Sequence, residues 1–240
     1  MKGMREIRLE VFRDLTVLTG PFRGMKYPSP RSFGSPLLPK LLGSYESELH
    51  EVLEELSSNR YTRIINIGCA EGFYAVGLGL RFPDADIHAF DIDSEARQLC
   101  RNLGKLNGVD QQLTVGEYCG QATLRSLLCG QKALVVSDCE GCEYDLFTEE
   151  IADFLAGHDL IVETHDFIRV SVSSRLREVF GKTHQIRSVK SVEDIEKATT
   201  YECQQLDKCD AATRRSIVAE HRPAAMEWLV MTSKIRGVSQ

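Results

Sequence analysis

The feature that most constrains the fold is an alternation of short apolar runs with helical patterns from residue 63 onward. Five runs have the length and the β-branched content of buried strands: RIINIG, DIHAFD, QLTVG, KALVVSD and DLIVET. A helical pattern follows each run, and parallel strands need crossover connections of this kind. The alternation therefore predicts an α/β fold with a doubly wound, mostly parallel sheet.

Two later runs complete the predicted sheet. HQIRSVK (184–190) and MEWLVMTS (226–233) are expected to form an antiparallel pair at one edge, which gives seven strands. Residues 192–221 between them are expected to be helical, with Asp210 as a candidate N-cap. On the N-terminal side of the sheet, Leu49 to Leu56 show helical spacing and Ser44 is a candidate N-cap.

The chain is predicted to divide into an arm and a domain. Residues 20–43 hold five of the seven prolines, which indicates a loop-rich segment. Residues 1–43 are therefore expected to form an N-terminal arm or lid, and residues 44–240 the domain. The arm offers bases for an anionic substrate and aromatic rings for an acceptor's apolar face: Arg23, Lys26, Arg31 and Lys40, and Phe22, Tyr27 and Phe33.

Composition narrows the class of protein. The net charge of −6 disfavours nucleic acid as a partner. No apolar run approaches the roughly 18 residues of a membrane span, so no membrane partner is expected. The first residues lack a secretory pattern, so the eight cysteines are expected to be reduced thiols in a cytoplasmic protein. A homodimer is left open.

A glycine turn follows the first predicted strand. Gly68 and Gly72 in INIGCAEGFYA allow a tight turn and a close approach to a ligand. Asp91 ends the second strand, 19 residues after Gly72, where a carboxylate can accept the ribose hydroxyls of a nucleoside. Glu71 would place a negative charge near a pyrophosphate. This disfavours a dinucleotide and suits the cationic S-adenosylmethionine.

At this point the sequence resembles the class I S-adenosylmethionine-dependent methyltransferases, over about residues 44–166. The motifs that carry the resemblance are IINIGCAEG and AFDID. The resemblance implies that Asp91 holds the ribose and that Ile92 packs on the adenine. It implies further cofactor contacts by Tyr45, Glu46, Gly68, Cys69, Ala70, Gly72, Gly116, Glu117 and Asp138.

Acidic side chains gather at the ends of the fourth and fifth predicted strands. SDCEG and ETHD bring together Asp138, Glu140, Glu143, Glu163, His165 and Asp166. Cys139 and Cys142 lie among them, and such a pair is consistent with a zinc site, a redox pair or simple packing. No second C-x-x-C supplies further zinc ligands, so packing as small apolar side chains is favoured.

The same residues sharpen the resemblance. DCEGCEYDLF followed by IVETHD resembles the FkbM-type methyltransferases, which mostly methylate hydroxyls of natural products and sugars. The resemblance implies a small-molecule O-methyltransferase and leaves the acceptor open. Three alternatives remain. One is an S-adenosylmethionine-using lyase, cyclase or aminocarboxypropyl transferase, another is a binding protein without activity, and the third, disfavoured by charge, is a nucleic-acid methyltransferase.

Candidate catalytic residues follow from the expected chemistry, in which an acceptor oxygen attacks a sulfonium methyl group. His165 is the first candidate for general base, because its ordinary pKa lies near neutrality. Asp138 would orient the acceptor, and Glu140 or Glu163 are alternative bases. Asp138, Glu163 and His165 could instead hold Mg²⁺ or Mn²⁺. The other possibility is that backbone amides and a base such as Arg169 neutralise these acids.

Overall fold

The computed structural model describes residues 3–130 and 132–235, so the outermost parts of the predicted arm and domain lie outside it. Seven strands form one sheet in the order β3-β2-β1-β4-β5-β7-β6. The strands are β1 (Arg63–Ile67), β2 (Asp86–Phe90), β3 (Leu113–Gly116), β4 (Ala133–Ser137), β5 (Asp159–Thr164), β6 (His184–Lys190) and β7 (Glu227–Ser233).

The predicted sheet is confirmed. Strands β1 to β5 pair in parallel, and β7 is antiparallel to both of its neighbours, β5 and β6. Every residue of β4 and of β5 is buried, which explains the central apolar runs ALVV of β4 and LIV of β5.

Helices fill the connections on both faces of the sheet. They are α1 (Met4–Val11), α2 (Leu37–Leu42), α3 (His50–Leu56), α4 (Phe73–Arg81), α5 (Ser94–Leu106), α6 (Gln121–Leu128), α7 (Glu143–Leu146), α8 (Glu149–Leu155), α9 (Val172–Phe180), α10 (Asp194–Thr200) and α11 (Ala211–Val218). Asp93 caps α5 by accepting hydrogen bonds from the amides of Glu95 and Ala96. Asp210 caps α11 as expected, through the amide of Thr213.

Two local predictions are wrong. Ser44 does not begin a helix; its amide donates to the carbonyl of Pro39 and so belongs to the turn that closes α2, while a 3₁₀ turn at Ser47–Leu49 leads into α3. The single helix expected after β4 is two helices. Phe147 lies between α7 and α8 with non-helical backbone angles, and its ring is fully buried against Phe180.

The arm contributes buried side chains to the apolar cluster on one face of the sheet. Phe22, Met25 and Leu41 are almost completely buried there. A Cβ on Gly77 of α4 would lie 2.5 Å from the Phe22 ring, so this glycine makes the close approach of the arm possible. The division at residue 43 stays a prediction.

Strand register determines which loops meet. Ile67 of β1 lies opposite Ser137 of β4, and Ser137 lies opposite Val162 of β5. The glycine turn after β1 therefore lies beside Asp138, and Glu163 is one residue further along β5. Among the described residues no helix is long and apolar enough to cross a membrane.

Candidate functional site

A cavity of about 740 Å³ lies beyond the carboxyl ends of the parallel strands, where ligands bind in sheets of this topology. Most of the predicted site residues line it. They are Tyr45, Glu46, Gly68, Cys69, Ala70, Asp91, Ile92, Glu117, Asp138, Glu140, Glu163 and His165. Gly72 and Gly116 are not among the lining residues.

The turn after β1 requires glycine at residue 68. Its φ is +75°, and a Cβ there would lie 1.6 Å from the carbonyl oxygen of Asp138. The amides of Gly68 and Cys69 both donate to the carbonyl of Phe90, at 2.9 Å. These bonds hold the ends of β1 and β2 together and leave an open floor for a ligand. Gly72, with φ +99°, does not line the cavity and is the N-cap of α4.

Asp91 lies at the mouth of this turn. Its Oδ2 accepts a hydrogen bond from the Ala70 amide at 2.8 Å, and its Oδ1 accepts one from the Asp93 amide at 2.9 Å. Each carboxylate oxygen has a further lone pair, so both can still accept from the hydroxyls of a ribose. The backbone bonds fix the carboxylate in place before any ligand arrives.

Two large apolar side chains stand open at this end of the cavity. Ile92 is 79% exposed and Tyr118 is 71% exposed, and both line the cavity. A planar nucleobase between these two side chains would shield apolar surface that is otherwise exposed to solvent. Tyr118 is absent from the sequence prediction, although an aromatic residue directly after Glu117 was a usable signal. Gly116 packs against the Phe90 ring, and a Cβ on Gly116 would lie 2.6 Å from that ring.

Glu71 does not face the cofactor side, contrary to the prediction. Its carboxylate pairs with Lys40 at 2.5 Å, with both side chains 2% exposed. It also accepts hydrogen bonds from Tyr27, Ser32 and the Phe33 amide. The charge that seemed to select against a pyrophosphate is therefore neutralised inside the protein, and it fastens the arm to the cofactor turn.

The arm forms one wall of the cavity through Phe33, Gly34, Ser35 and Lys40. The expectation that Phe22 and Tyr27 cover an acceptor is wrong, because both rings are buried in the core. Arg31 pairs with Glu95 on α5, and among the four arm bases Lys40 is the one that reaches the cavity.

His165 is surrounded by carboxylates. Its Nδ1 lies 2.8 Å from Glu143, and its Nε2 lies 3.4 Å from both Asp138 and Glu140. Burial alone would lower the pKa of His165, but the bond to Glu143 and the nearby charges raise that pKa above its ordinary value. A higher pKa shifts the imidazole toward its protonated form, which pairs with carboxylates and cannot accept a proton.

Asp138 and Glu163 form an acid pair beside this histidine. Burial raises the pKa of Asp138, and burial together with the Asp138 charge raises the pKa of Glu163 well above its usual range. Ligand atoms of these two residues and His165 lie within 4.8 Å of one another. Two oxygens and one imidazole nitrogen at this spacing fit a divalent cation. Arg169 does not neutralise the acid cluster, since it pairs with Asp145.

Arg222 neutralises part of the cluster instead. It lies within 3.5 Å of four glutamates: Glu46, Glu48, Glu163 and Glu220. Burial and the neighbouring charge of Glu220 raise the pKa of Glu46 to about 8, although Arg222 opposes that rise. No local sequence signal marks Arg222, because only the pairing of β5 with β7 brings residue 222 beside residue 163.

Cys139 and Cys142 are joined by a disulfide, so the expectation of two reduced thiols is wrong for this pair. Glu140 and Gly141 both have positive φ, and the tight turn brings the two Cα atoms to 5.5 Å, within the range that a disulfide spans. Bonded sulfurs cannot serve as zinc thiolates. Both residues line the cavity next to Asp138, and the other six cysteines form no disulfide.

Comparisons with known proteins bear on the fold of the chain. No protein-family model matches the chain. A release factor glutamine methyltransferase of Deinococcus radiodurans is 33% identical over 90 residues, which is 38% of this chain and 30% of that protein. The chain thus matches under a third of the length of this relative.

Solved structures resemble the chain more completely. The O-methyltransferase TomG of Streptomyces achromogenes, solved with S-adenosylmethionine, superposes with a TM-score of 0.51 and 13% identity, over 80% of this chain and 82% of its own. A proposed O-methyltransferase of Klebsiella pneumoniae gives 0.52 and 14%, over 80% and 82%. The protein has the Rossmann-like fold of the class I S-adenosylmethionine-dependent methyltransferases.

Proposed function

We propose that the protein is an S-adenosylmethionine-dependent methyltransferase that methylates a hydroxyl group of a small molecule. The observation that carries the proposal is Asp91, fixed by two backbone amides at the end of β2 and beside the Gly68 turn. Its remaining lone pairs, the exposed Ile92 and Tyr118, and the open floor at Gly68 fit the ribose, the base and the methionine part of that cofactor. The fold and the two O-methyltransferase neighbours support the same assignment.

S-adenosylmethionine supplies a methyl group that is activated by its positively charged sulfur. The chain's own residues position the partners and remove the acceptor proton, which are the main tasks in such a transfer. Asp138 is our candidate base, because its Oδ1 has no hydrogen-bond partner and lies next to the glycine turn. The raised pKa of Asp138 brings it nearer neutrality, where a general base works best. His165 then holds the acids in position, and Glu163 is the alternative base.

Finer parts of the assignment are also proposals. The motif at residues 138–147 supports an FkbM-type enzyme acting on a natural product or a sugar. A magnesium or manganese ion at Asp138, Glu163 and His165 would acidify the acceptor hydroxyl, and the spacing of these ligands supports it. Residues 1–43 would act as an arm or lid, supported by the cavity wall that they form. A cytoplasmic location stays an expectation.

The test is transfer of a labelled methyl group from S-adenosylmethionine to a panel of hydroxyl-bearing small molecules, with and without Mg²⁺. We expect label in an acceptor and equimolar S-adenosylhomocysteine. Asp138→Asn should lose transfer while still binding S-adenosylhomocysteine. Formation of methylthioadenosine without any acceptor would support the lyase or aminocarboxypropyl alternative and contradict methyl transfer.

A further inference from the structure

One connected network of charged side chains lies in the acceptor half of the cavity and in the protein directly behind its wall. Ion pairs link His165 to Glu163, Glu163 to Arg222, and Arg222 through Glu48 and Glu220 to Lys197. Within the described residues the network holds seven carboxylates and three basic side chains. The carboxylates are Glu46, Glu48, Asp138, Glu140, Glu143, Glu163 and Glu220.

The bases of this cavity have little capacity left for an anion. Arg222 uses Nε for Glu220, one terminal nitrogen for Glu163 and the other for Glu48 and Glu46. Lys40 is committed to Glu71. His165 touches four acids, and His221, the other base of the described lining, is exposed at the rim.

Some acid oxygens, in contrast, accept no hydrogen bond. Asp138 Oδ1 and Glu143 Oε2 are buried atoms of this kind, although His165 Nε2 lies 3.4 Å from Asp138 Oδ1, and the Glu143 side chain is completely buried. The seven carboxylates of the network face three basic side chains, so the acids outnumber the bases. Uncompensated charge in a low-dielectric site is costly, and a ligand cation would relieve that cost.

We propose that the acceptor carries a cationic group, a protonated amine or a guanidinium, which binds beside Glu140 and Glu163 in the metal-free site and leaves Asp138 to take the proton of the hydroxyl. This inference rests on the proposed function, because it treats this half of the cavity as the acceptor site. Phe167, Met226 and Pro223 line the same half and offer apolar surface to the rest of the acceptor. An acceptor carrying a carboxylate or phosphate would add to the excess negative charge and is excluded.

The test uses three matched phenols that differ in one terminal group: tyramine (ammonium), tyrosol (hydroxyl) and 4-hydroxyphenylacetate (carboxylate). Calorimetry first measures binding of S-adenosylhomocysteine, and each phenol is then titrated into that complex after treatment with a chelator. We expect tyramine to bind at least tenfold more tightly than tyrosol, a preference that falls with added salt, and no binding of the carboxylate. Equal binding of tyramine and tyrosol, or no binding of tyramine, overturns the inference.

Two variants separate a specific contact from general charge. Glu140 is 75% exposed and its carboxylate contacts His165 alone among the described bases, so Glu140→Gln should fold normally. It should weaken tyramine binding three- to tenfold and leave tyrosol unchanged. Asp145 is 76% exposed, pairs with Arg169 and does not line the cavity, so Asp145→Asn is the matched control and should keep the preference for tyramine. Failure of S-adenosylhomocysteine to bind would defeat the proposed function, whereas its binding without any preference for tyramine defeats only this inference.

Discussion

The ion pair between Glu71 and Lys40 offers a sharp test of how the arm is attached. Both side chains are 2% exposed, so removing one charge leaves the other buried without compensation. Breaking such a pair costs about 3–5 kcal/mol, a large part of the roughly 5–15 kcal/mol by which a domain is stable. We expect Glu71→Gln to lose about 3 kcal/mol or more, because Gln keeps the acceptor for Tyr27 and Ser32 but not the charge.

Urea denaturation followed by fluorescence of Trp228, the single tryptophan and fully buried, measures this loss. Limited trypsin digestion should at the same time cut faster in the arm, at Arg23, Lys26 and Arg31. The double variant Glu71→Gln/Lys40→Met should lose less than the sum of the single variants, because no unpaired buried charge remains.

Glu95→Gln is the matched control for this pair. It breaks the Arg31–Glu95 pair, whose side chains are 62% and 52% exposed, and it should cost less than about 1 kcal/mol. If Glu71→Gln costs no more than this control and digestion of the arm is unchanged, the buried attachment of the arm is refuted.

Three further predictions concern the cavity. The pKa of Glu46 is higher in the folded protein than in the unfolded chain, so the unfolded chain releases this proton at a lower pH. The free energy of unfolding therefore falls as the pH rises from about 5 to about 8. Glu46→Gln should flatten the fall in melting temperature over that interval, and an unchanged slope would contradict the assignment. Gly68→Ala should abolish binding of S-adenosylhomocysteine in calorimetry, since its Cβ meets the Asp138 carbonyl at 1.6 Å; retained binding would disprove the turn geometry. Thiol titration of the unfolded protein should find six thiols before reduction and eight after it, and eight from the start would rule out the Cys139–Cys142 disulfide.

The sheet and the cofactor half of the cavity could be predicted because their signals are local. Apolar runs define the strands, and the Gly68 turn and Asp91 follow directly from the strand ends. The acceptor half could not be predicted in the same way. Arg222 reaches Glu163 only because β7 lies beside β5, and the sequence contains no mark of that pairing.

Charged residues near a motif also misled the prediction, because their partners are distant in sequence. Glu71 lies inside the cofactor motif, yet its partner Lys40 is 31 residues earlier, and the pair points into the protein. The pKa of His165 seemed suited to a base, but Glu143 on α7 raises that pKa by a contact which the sequence does not reveal. Two cysteines were too few to form a zinc site, so packing was predicted for Cys139 and Cys142. The positive φ values of Glu140 and Gly141 instead bring the two sulfurs together in a disulfide.

Calorimetric titration of S-adenosylhomocysteine into the wild-type protein and into Asp91→Asn tests the central claim most directly. Asn keeps the size of the side chain but turns one of its two hydrogen-bond acceptors into a donor. We expect one site per chain in the wild-type protein and at least a tenfold weaker affinity in the variant. Absence of binding to the wild-type protein, or equal affinity of the two proteins, would contradict the account.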